Sequence, residues 1–133
     1  MYNLYNKIGG LITMKLMITE AAKDKLANYL GPDKKMLLSL DDGVGPFSGV
    51  GVCSLDTAFQ LILVDKKLPI PDYNESFETE IGALYYKGYS KEYMNEDMKL
   101  DFKSNFQTMP LSGDGEMIDS NVVILDLSKQ QID

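Results

Sequence analysis

Two apolar runs that enclose a glycine-rich segment constrain the fold of this chain more than any other feature. The runs cover residues 35–40 and 57–65, and each has the length and composition of a β-strand. The segment between them contains four glycines, namely Gly43, Gly45, Gly49 and Gly51. It also contains Cys53, the only cysteine of the chain. Long loops of this kind are uncommon inside compact domains and usually carry function, so the sequence predicts two strands joined by a functional loop.

The second apolar run predicts a strand that is covered on both faces. Successive side chains of a strand point to opposite sides, so Phe59 and Leu63 share one face while Gln60 and Val64 share the other. Apolar residues dominate both sets, which is typical of a strand in the middle of a covered sheet.

The rest of the chain predicts one helix and about seven or eight strands. Thr19 is placed to cap a helix that starts at Glu20, and Gly31 and Pro32 are placed to end it. Further strands are predicted at 14–18, 77–80, 83–87, 98–102, 106–111 and 122–127, with a helical turn capped by Ser90 and a turn at 112–115. The predicted class is an α+β domain with predominantly antiparallel β structure and one main N-terminal helix.

Composition excludes several classes of function. The net charge of −7 repels phosphate backbones, so nucleic acid is not an expected partner, and no apolar run is long enough to span a membrane. One cysteine and no histidine exclude an internal disulfide, histidine-dependent nucleophilic catalysis and histidine-bearing zinc sites. No spacing among the 20 carboxylates singles out an acid–base pair, so we do not predict an enzyme. Because one cysteine cannot form an internal disulfide, the cytoplasm is the expected compartment.

The residues alone leave two interpretations of Cys53. A cysteine that simply packs at the base of a strand is the common case. A thiolate that binds a metal or a cluster, exposed by the surrounding glycines, is the functional alternative. No lysine or arginine lies near Cys53 in sequence to lower its pKa, which favours the packing interpretation.

The ends of the chain stand apart from its regular pattern. Residues 1–13 are interpreted either as a translated leader before a native start at Met14 or as an extension that adds a strand. Residues 14–127 are predicted to form a single domain, and residues 128–133 a frayed tail.

Three stretches together resemble the HesB/IscA-like family of iron–sulfur carrier proteins. Thr19–Ala22 matches the opening of the family's first helix, Gly51 and Cys53 match its glycine-cysteine loop, and Phe59 and Asp65 match the following strand. The later stretch GALYYKGYSKEYMNEDMKLDF is most similar to the "core domain" branch found in Gram-positive bacteria.

This resemblance implies a HesB-like β-sandwich or pseudo-barrel and a role in iron–sulfur cluster biosynthesis. It implies Cys53 as a ligand of iron or of an iron–sulfur cluster, with Gly49 and Gly51 shaping the loop, and it implies iron–sulfur assembly proteins and a homodimer as partners. The chain departs from the family in lacking a Cys-Gly-Cys pair near its C-terminus, around PLSGDGEMI, and Leu55 stands where glycine is common. We therefore expect weak or absent cluster binding, and the alternative is a family member that acts as a non-catalytic binding or regulatory module.

Overall fold

The computed structural model describes residues 14–40 and 58–128. These residues form one α-helix, α1 (Glu20–Leu26), a 3₁₀ helix (Gly88–Tyr93) and nine strands. The strands are β1 (Lys15–Ile18), β2 (Lys34–Leu40), β3 (Phe59–Asp65), β4 (Glu75–Thr79), β5 (Gly82–Tyr86), β6 (Asp97–Leu100), β7 (Leu111–Gly113), β8 (Glu116–Asp119) and β9 (Val123–Asp126).

The strands form two mixed sheets. The larger sheet has the order β4-β5-β2-β3-β9 and the smaller has the order β1-β6-β7-β8. Antiparallel pairs are the majority, but β1 with β6, β2 with β5 and β3 with β9 run parallel. The predicted α+β class with one helix is therefore confirmed, and the parallel pairs arise because strands distant in sequence become neighbours.

Apolar residues cover both faces of the five-stranded sheet. On the inner face, Phe59, Leu61 and Leu63 belong to the main core, which also includes buried residues of α1 and of the smaller sheet. On the outer face, Ile62 and Val64 pack in a smaller cluster with Leu37 and Tyr73. The prediction that β3 is covered on both sides is confirmed.

Helix α1 begins where the sequence predicts and ends earlier. The Thr19 side chain accepts a hydrogen bond of 3.2 Å from the backbone N–H of Ala22, which is the expected cap. The helix ends at Leu26, not at Gly31 and Pro32, because a tight turn in which the N–H of Tyr29 bonds to the carbonyl of Leu26 follows it. Ala22 and Leu26 are fully buried, so two turns are enough to place the apolar face on the core.

Two predictions in the second half of the chain are wrong. Residues 106–111 do not form a strand, because a turn with Gln107 at φ 55° leaves Phe106 76% exposed and regular pairing begins only at Leu111. Ser90 does not cap the 3₁₀ helix. The cap position belongs to Lys87, and the Ser90 hydroxyl lies inside the helix and donates to the Lys87 carbonyl at 2.6 Å.

The predicted turn at 112–115 is shorter than expected. Ser112 and Gly113 belong to β7, and only Asp114 and Gly115 connect it to β8. Both connecting residues have positive φ, 50° and 80°, as the tight Asp-Gly hairpin turn requires. The predicted hairpin around Gly82 is confirmed, with Gly82 at φ 115°.

Predictions for the ends of the chain fall outside the described residues. These are the leader or extra strand at 1–13 and the frayed tail beyond residue 128. Within the described ranges, the one α-helix is far too short to cross a bilayer.

Candidate functional site

The glycine-rich segment leaves the five-stranded sheet at its centre. Strands β2 and β3 pair antiparallel in full register, from Lys34 opposite Asp65 to Leu40 opposite Phe59. The predicted site residues Cys53, Gly49 and Gly51 lie in the segment that joins Leu40 to Phe59, outside the described residues. What the structure describes is the base of the loop, which is the end of the sheet at Leu40 and Phe59.

Buried polar side chains line the outer face of the sheet at this loop end. Ser39 of β2 is directly opposite Gln60 of β3, and each is only 4% exposed. The Ser39 hydroxyl and the Tyr73 hydroxyl form a hydrogen bond of 2.8 Å. On the far side of β2, the parallel register of β5 brings the chain to Lys87, the residue after Tyr86. We call Ser39, Gln60, Tyr73 and Lys87 the loop-base polar row.

The ammonium group of Lys87 lies among aromatic rings. Lys87 is 3% exposed, and its Nζ lies 5.5 Å from the ring centroid of Tyr73 and 5.8 Å from that of Tyr89. The same nitrogen is 3.4 Å from the Tyr89 hydroxyl. Electron-rich aromatic faces attract a cation and offset part of the cost of removing it from water. The fold thus holds a positive charge at the end of the sheet from which the loop departs.

A carboxylate holds the point where the loop returns to the sheet. The backbone N–H of Phe59 donates to Asp119 Oδ2 at 2.7 Å, and the N–H of Asn121 donates to Asp119 Oδ1 at 2.9 Å. Asp119 ends β8 in the smaller sheet, while Phe59 starts β3 in the larger one. This single side chain therefore connects the two sheets at the loop base.

Two aspartates outside the loop-base polar row, Asp101 and Asp126, have lowered pKa values and join separate parts of the fold. A hydrogen bond of 2.7 Å from the Thr19 hydroxyl is the main reason that the pKa of Asp101 lies below its usual value, and the pair joins α1 to the end of β6. Partial burial raises the pKa of Asp126, but hydrogen bonds from Ser128 and Lys34 outweigh this and hold it below the usual value.

Tyr86, at the end of β5 beside the loop base, is held in its protonated form. Burial, followed by the negative charge of Glu75 and a hydrogen bond to it, raises the pKa of Tyr86 to about 12. Its ring also stacks on Phe77 at 4.5 Å between centroids. The phenol is therefore a packing residue that donates one hydrogen bond, not a base.

The described residues do not supply a metal site of their own. No three carboxylates among residues 14–40 and 58–128 come close enough to hold an ion, and these residues include neither cysteine nor histidine. The stretch around 110–118, which the family resemblance aligns with the Cys-Gly-Cys pair, forms β7, the Asp-Gly turn and part of β8. Any thiolate ligand that this chain supplies could come only from Cys53, its single cysteine.

The sequence gives only a partial signal for this site. It points to the loop, but it does not show that Ser39, Gln60 and Lys87 share one row, because their alignment depends on pairings between distant strands. Two polar residues inside otherwise apolar strands, and a lysine directly after an apolar run, are the signals that could have indicated it.

Comparison with known proteins places the chain in a family. The profile of the iron-sulphur cluster biosynthesis family matches residues 14–126. No curated protein matches the chain.

Among solved structures, a candidate Fe-S biosynthesis protein from Lactobacillus salivarius, described as a novel fold, is 39% identical. It superposes with a TM-score of 0.78 and covers 86% of this chain and 99% of its own. A second candidate Fe-S biosynthesis protein, from Lactobacillus acidophilus, is 25% identical with a TM-score of 0.66, over 85% of this chain and 90% of its own. SufA of Escherichia coli is 15% identical with a TM-score of 0.45, over 77% of this chain and 86% of its own. The chain therefore belongs to the iron-sulphur cluster biosynthesis family, as the resemblance of its loop and first helix predicted.

Proposed function

We propose that this protein binds an iron–sulfur cluster weakly and passes it to other proteins, with Cys53 as the thiolate ligand. The observation that carries the proposal is the family match over residues 14–126, which spans the whole glycine-rich segment. In this proposal Gly49 and Gly51 let the backbone approach the cargo closely, because glycine has no side chain in the way.

The chemistry of the donor set argues against tight binding of a cluster by one chain. Iron–sulfur clusters are generally held by four ligands, most often cysteine thiolates, and each chain has one cysteine. Two chains supply two thiolates, and the remaining ligands must be carboxylates or small thiols from solution, which bind such iron less strongly. A homodimer with one shared, easily released cluster therefore fits the composition better than a stable monomeric cluster protein.

The loop base carries charges of both signs, namely Lys87 and the Asp119 carboxylate at Phe59, and of these Lys87 favours an anionic cargo. Lys87 carries a positive charge to the end of the sheet where the loop departs, although the chain as a whole has a net charge of −7. In this proposal the cargo lies at the end of the sheet that carries Lys87, where a cation would favour a thiolate over a thiol.

The wider role follows from the same family membership. We propose that the partners are other iron–sulfur assembly proteins, that the protein carries its cargo without catalysing a reaction, and that it works in the cytoplasm. The absence of histidine and the lack of an evident acid–base pair support a non-catalytic role.

A second candidate function is a non-catalytic binding or regulatory module that keeps the fold without the metal. It is favoured by the replacement of the family's Cys-Gly-Cys region by the sequence Ser112–Gly115, which has no cysteine. In that case Cys53 packs inside the loop and reacts slowly with thiol reagents while the protein is folded.

Anaerobic reconstitution with iron and sulfide distinguishes the two functions. Bound iron, acid-labile sulfide and visible absorbance are measured for the wild type, for Cys53→Ser, and for a control that combines Cys53→Ser with Ser76→Cys. The control keeps one thiol per chain but moves it to an exposed position on β4. We expect a cluster only in the wild type. Iron at background in all three proteins would instead support the module without metal.

A further inference from the structure

One surface of the protein combines an open strand edge with an exposed aromatic side chain. Strand β9 is the last strand of the five-stranded sheet, and no other strand among the described residues pairs with its outer edge. Val123, at the start of β9, is 40% exposed. An open edge with apolar side chains is a ready site for pairing with another strand, and folded proteins usually protect such edges.

A small apolar hollow lies beside the start of β9. Its volume of about 230 Å³ is below the roughly 300–1,000 Å³ that is typical of small-molecule pockets. Its lining comprises Lys25, Tyr29, Phe102, Gln107, Met109, Asn121, Val122, Val123 and Ile124. The size and the aromatic and aliphatic walls suit a side chain of another protein better than a small-molecule ligand.

Among the described residues Phe106 is the most exposed large apolar side chain, at 76%, and it lies on a hydrogen-bonded turn. The N–H of Lys103 donates to the Thr108 carbonyl at 2.8 Å, and the N–H of Phe106 donates to the Lys103 carbonyl at 3.1 Å. Gln107, the next residue, bonds to Ser104 at 2.9 Å and also lines the hollow. An aromatic side chain is thus presented to solvent on a hydrogen-bonded turn whose next residue, Gln107, lines the hollow.

This surface also adjoins the base of the glycine-rich loop. Val123 is aligned with Gln60 at the start of β3, the strand on which the loop ends. The N–H of Val122 donates to the Met109 carbonyl at 2.8 Å, which ties the turn that carries Phe106 to the same corner. The projecting side chain, the hollow and the loop base therefore occupy one corner of the molecule.

We propose that this corner binds a second copy of the chain around a two-fold axis, with the partner subunit's Phe106 seated in the hollow. The proposal rests on the proposed function, because a cluster site with one cysteine per chain is incomplete without a partner, and the interface must bring the two loops together. A two-fold interface requires a patch that is complementary to itself, and a projecting ring beside a hollow meets that requirement. Two β9 edges related by such an axis run antiparallel, so they can also pair.

The charge distribution fits a contact between identical acidic chains. The lining of the hollow contains one ammonium group, that of Lys25, and no carboxylate. Lys25 Nζ lies 5.3 Å from the ring centroid of Phe102, so it borders the hollow over an aromatic face. When two chains of net charge −7 meet at this corner, the residues that line the two hollows therefore add no repulsion between carboxylates.

Sedimentation equilibrium on the full chain, from micromolar to millimolar concentration, tests the interface. The variants are Phe106→Ser, which removes the projecting ring, and Val123→Lys, which places a charge on the edge. Met117→Ser is the matched control, because Met117 is 61% exposed but lies on β8. We expect a wild-type dimer whose dissociation constant rises at least about tenfold in both variants and is unchanged in the control.

Two results would overturn this interface: a wild type that stays monomeric, or a dimer that both variants leave equally tight. Circular dichroism on each variant shows whether the monomer is still folded, which is expected because both substituted side chains are exposed. Iron and sulfide uptake is measured on the same samples. Uptake by a monomeric wild type would refute the interface but not the carrier function, while a Phe106-dependent dimer without uptake would refute the carrier function alone.

Discussion

The two faces of the five-stranded sheet are built from the same strands but differ in composition. The inner face is apolar along the whole of β3, where Phe59, Leu61 and Leu63 enter the main core. The outer face is apolar at one end, through Ile62 and Val64, and becomes polar toward the loop base. The change from apolar to polar side chains occurs within individual strands. It therefore does not reflect a difference between strands in β propensity or in position in the sheet.

This contrast separates stability from function within one sheet. Burying a polar group costs free energy unless it is hydrogen-bonded, and replacing both partners of a buried hydrogen bond by apolar groups of the same shape can be nearly neutral or even stabilising. Among the described strands of this sheet, the buried polar side chains, Ser39 and Gln60, lie at the end of the outer face that meets the glycine-rich loop. We infer that the inner face maintains the fold and that the loop-base polar row serves the loop.

The largest expected effect is on the inner face. Leu61→Ala should lower the free energy of unfolding by about 3–5 kcal/mol, because it opens a cavity in the main core. Ile62→Ala, its neighbour on the outer face, should cost about 2–4 kcal/mol, because the smaller outer cluster can relax into the space more easily. Urea unfolding followed by circular dichroism measures both. A greater loss for Ile62→Ala would reverse the proposed ranking of the faces.

An intermediate effect is expected where α1 meets the end of β6. Thr19→Ala removes both the helix cap and the hydrogen bond to Asp101, which should cost about 1–3 kcal/mol at neutral pH. Because the pKa of Asp101 is lowered in the folded state, its contribution is present above 3.8, the ordinary value, and is lost as the pH falls through the folded value.

The difference between wild type and Thr19→Ala should therefore shrink in acid. Thermal unfolding of both proteins between neutral pH and about pH 3 checks this, a range chosen to cross the ordinary aspartate pKa. Thr19→Ser keeps a hydroxyl at the same place and should behave like the wild type. A stability difference that is independent of pH would show that Asp101 gains nothing from Thr19.

The smallest expected effect is in the loop-base polar row. Ser39→Ala and Tyr73→Phe each remove one side of the 2.8 Å hydrogen bond and should each cost about 1 kcal/mol. In the double variant the losses should not add, since both substitutions remove the same bond. A double-mutant cycle in urea measures this coupling. Fully additive losses would mean that the two hydroxyls do not stabilise each other.

Local patterns in the sequence predict the elements that depend on local chemistry. Thr19 before a helical stretch, Gly82 between two strands and the alternation along β3 each predict a feature that the structure confirms. The failures have local causes too. The apolar Phe106 suggested a strand, but the turn with Gln107 in the left-handed region exposes it, and Pro110 has no N–H to donate to a ladder.

The candidate site is less accessible to sequence reasoning because it depends on contacts between distant residues. The parallel pairing of β2 with β5 brings Lys87 to the loop base, and Asp119 reaches Phe59 from another sheet. Neither contact leaves a periodic signal in the chain. The loop itself is indicated as a candidate functional segment by the sequence alone, because its glycines and its cysteine are close together in the chain.

Native mass spectrometry of the anaerobically reconstituted protein tests the central claim most directly, because it counts chains and cluster atoms in one particle. We expect a species with the mass of two chains and one iron–sulfur cluster, which is absent from Cys53→Ser. A wild type that gives only the masses of cluster-free chains after reconstitution would contradict the claim that this family member still carries a cluster.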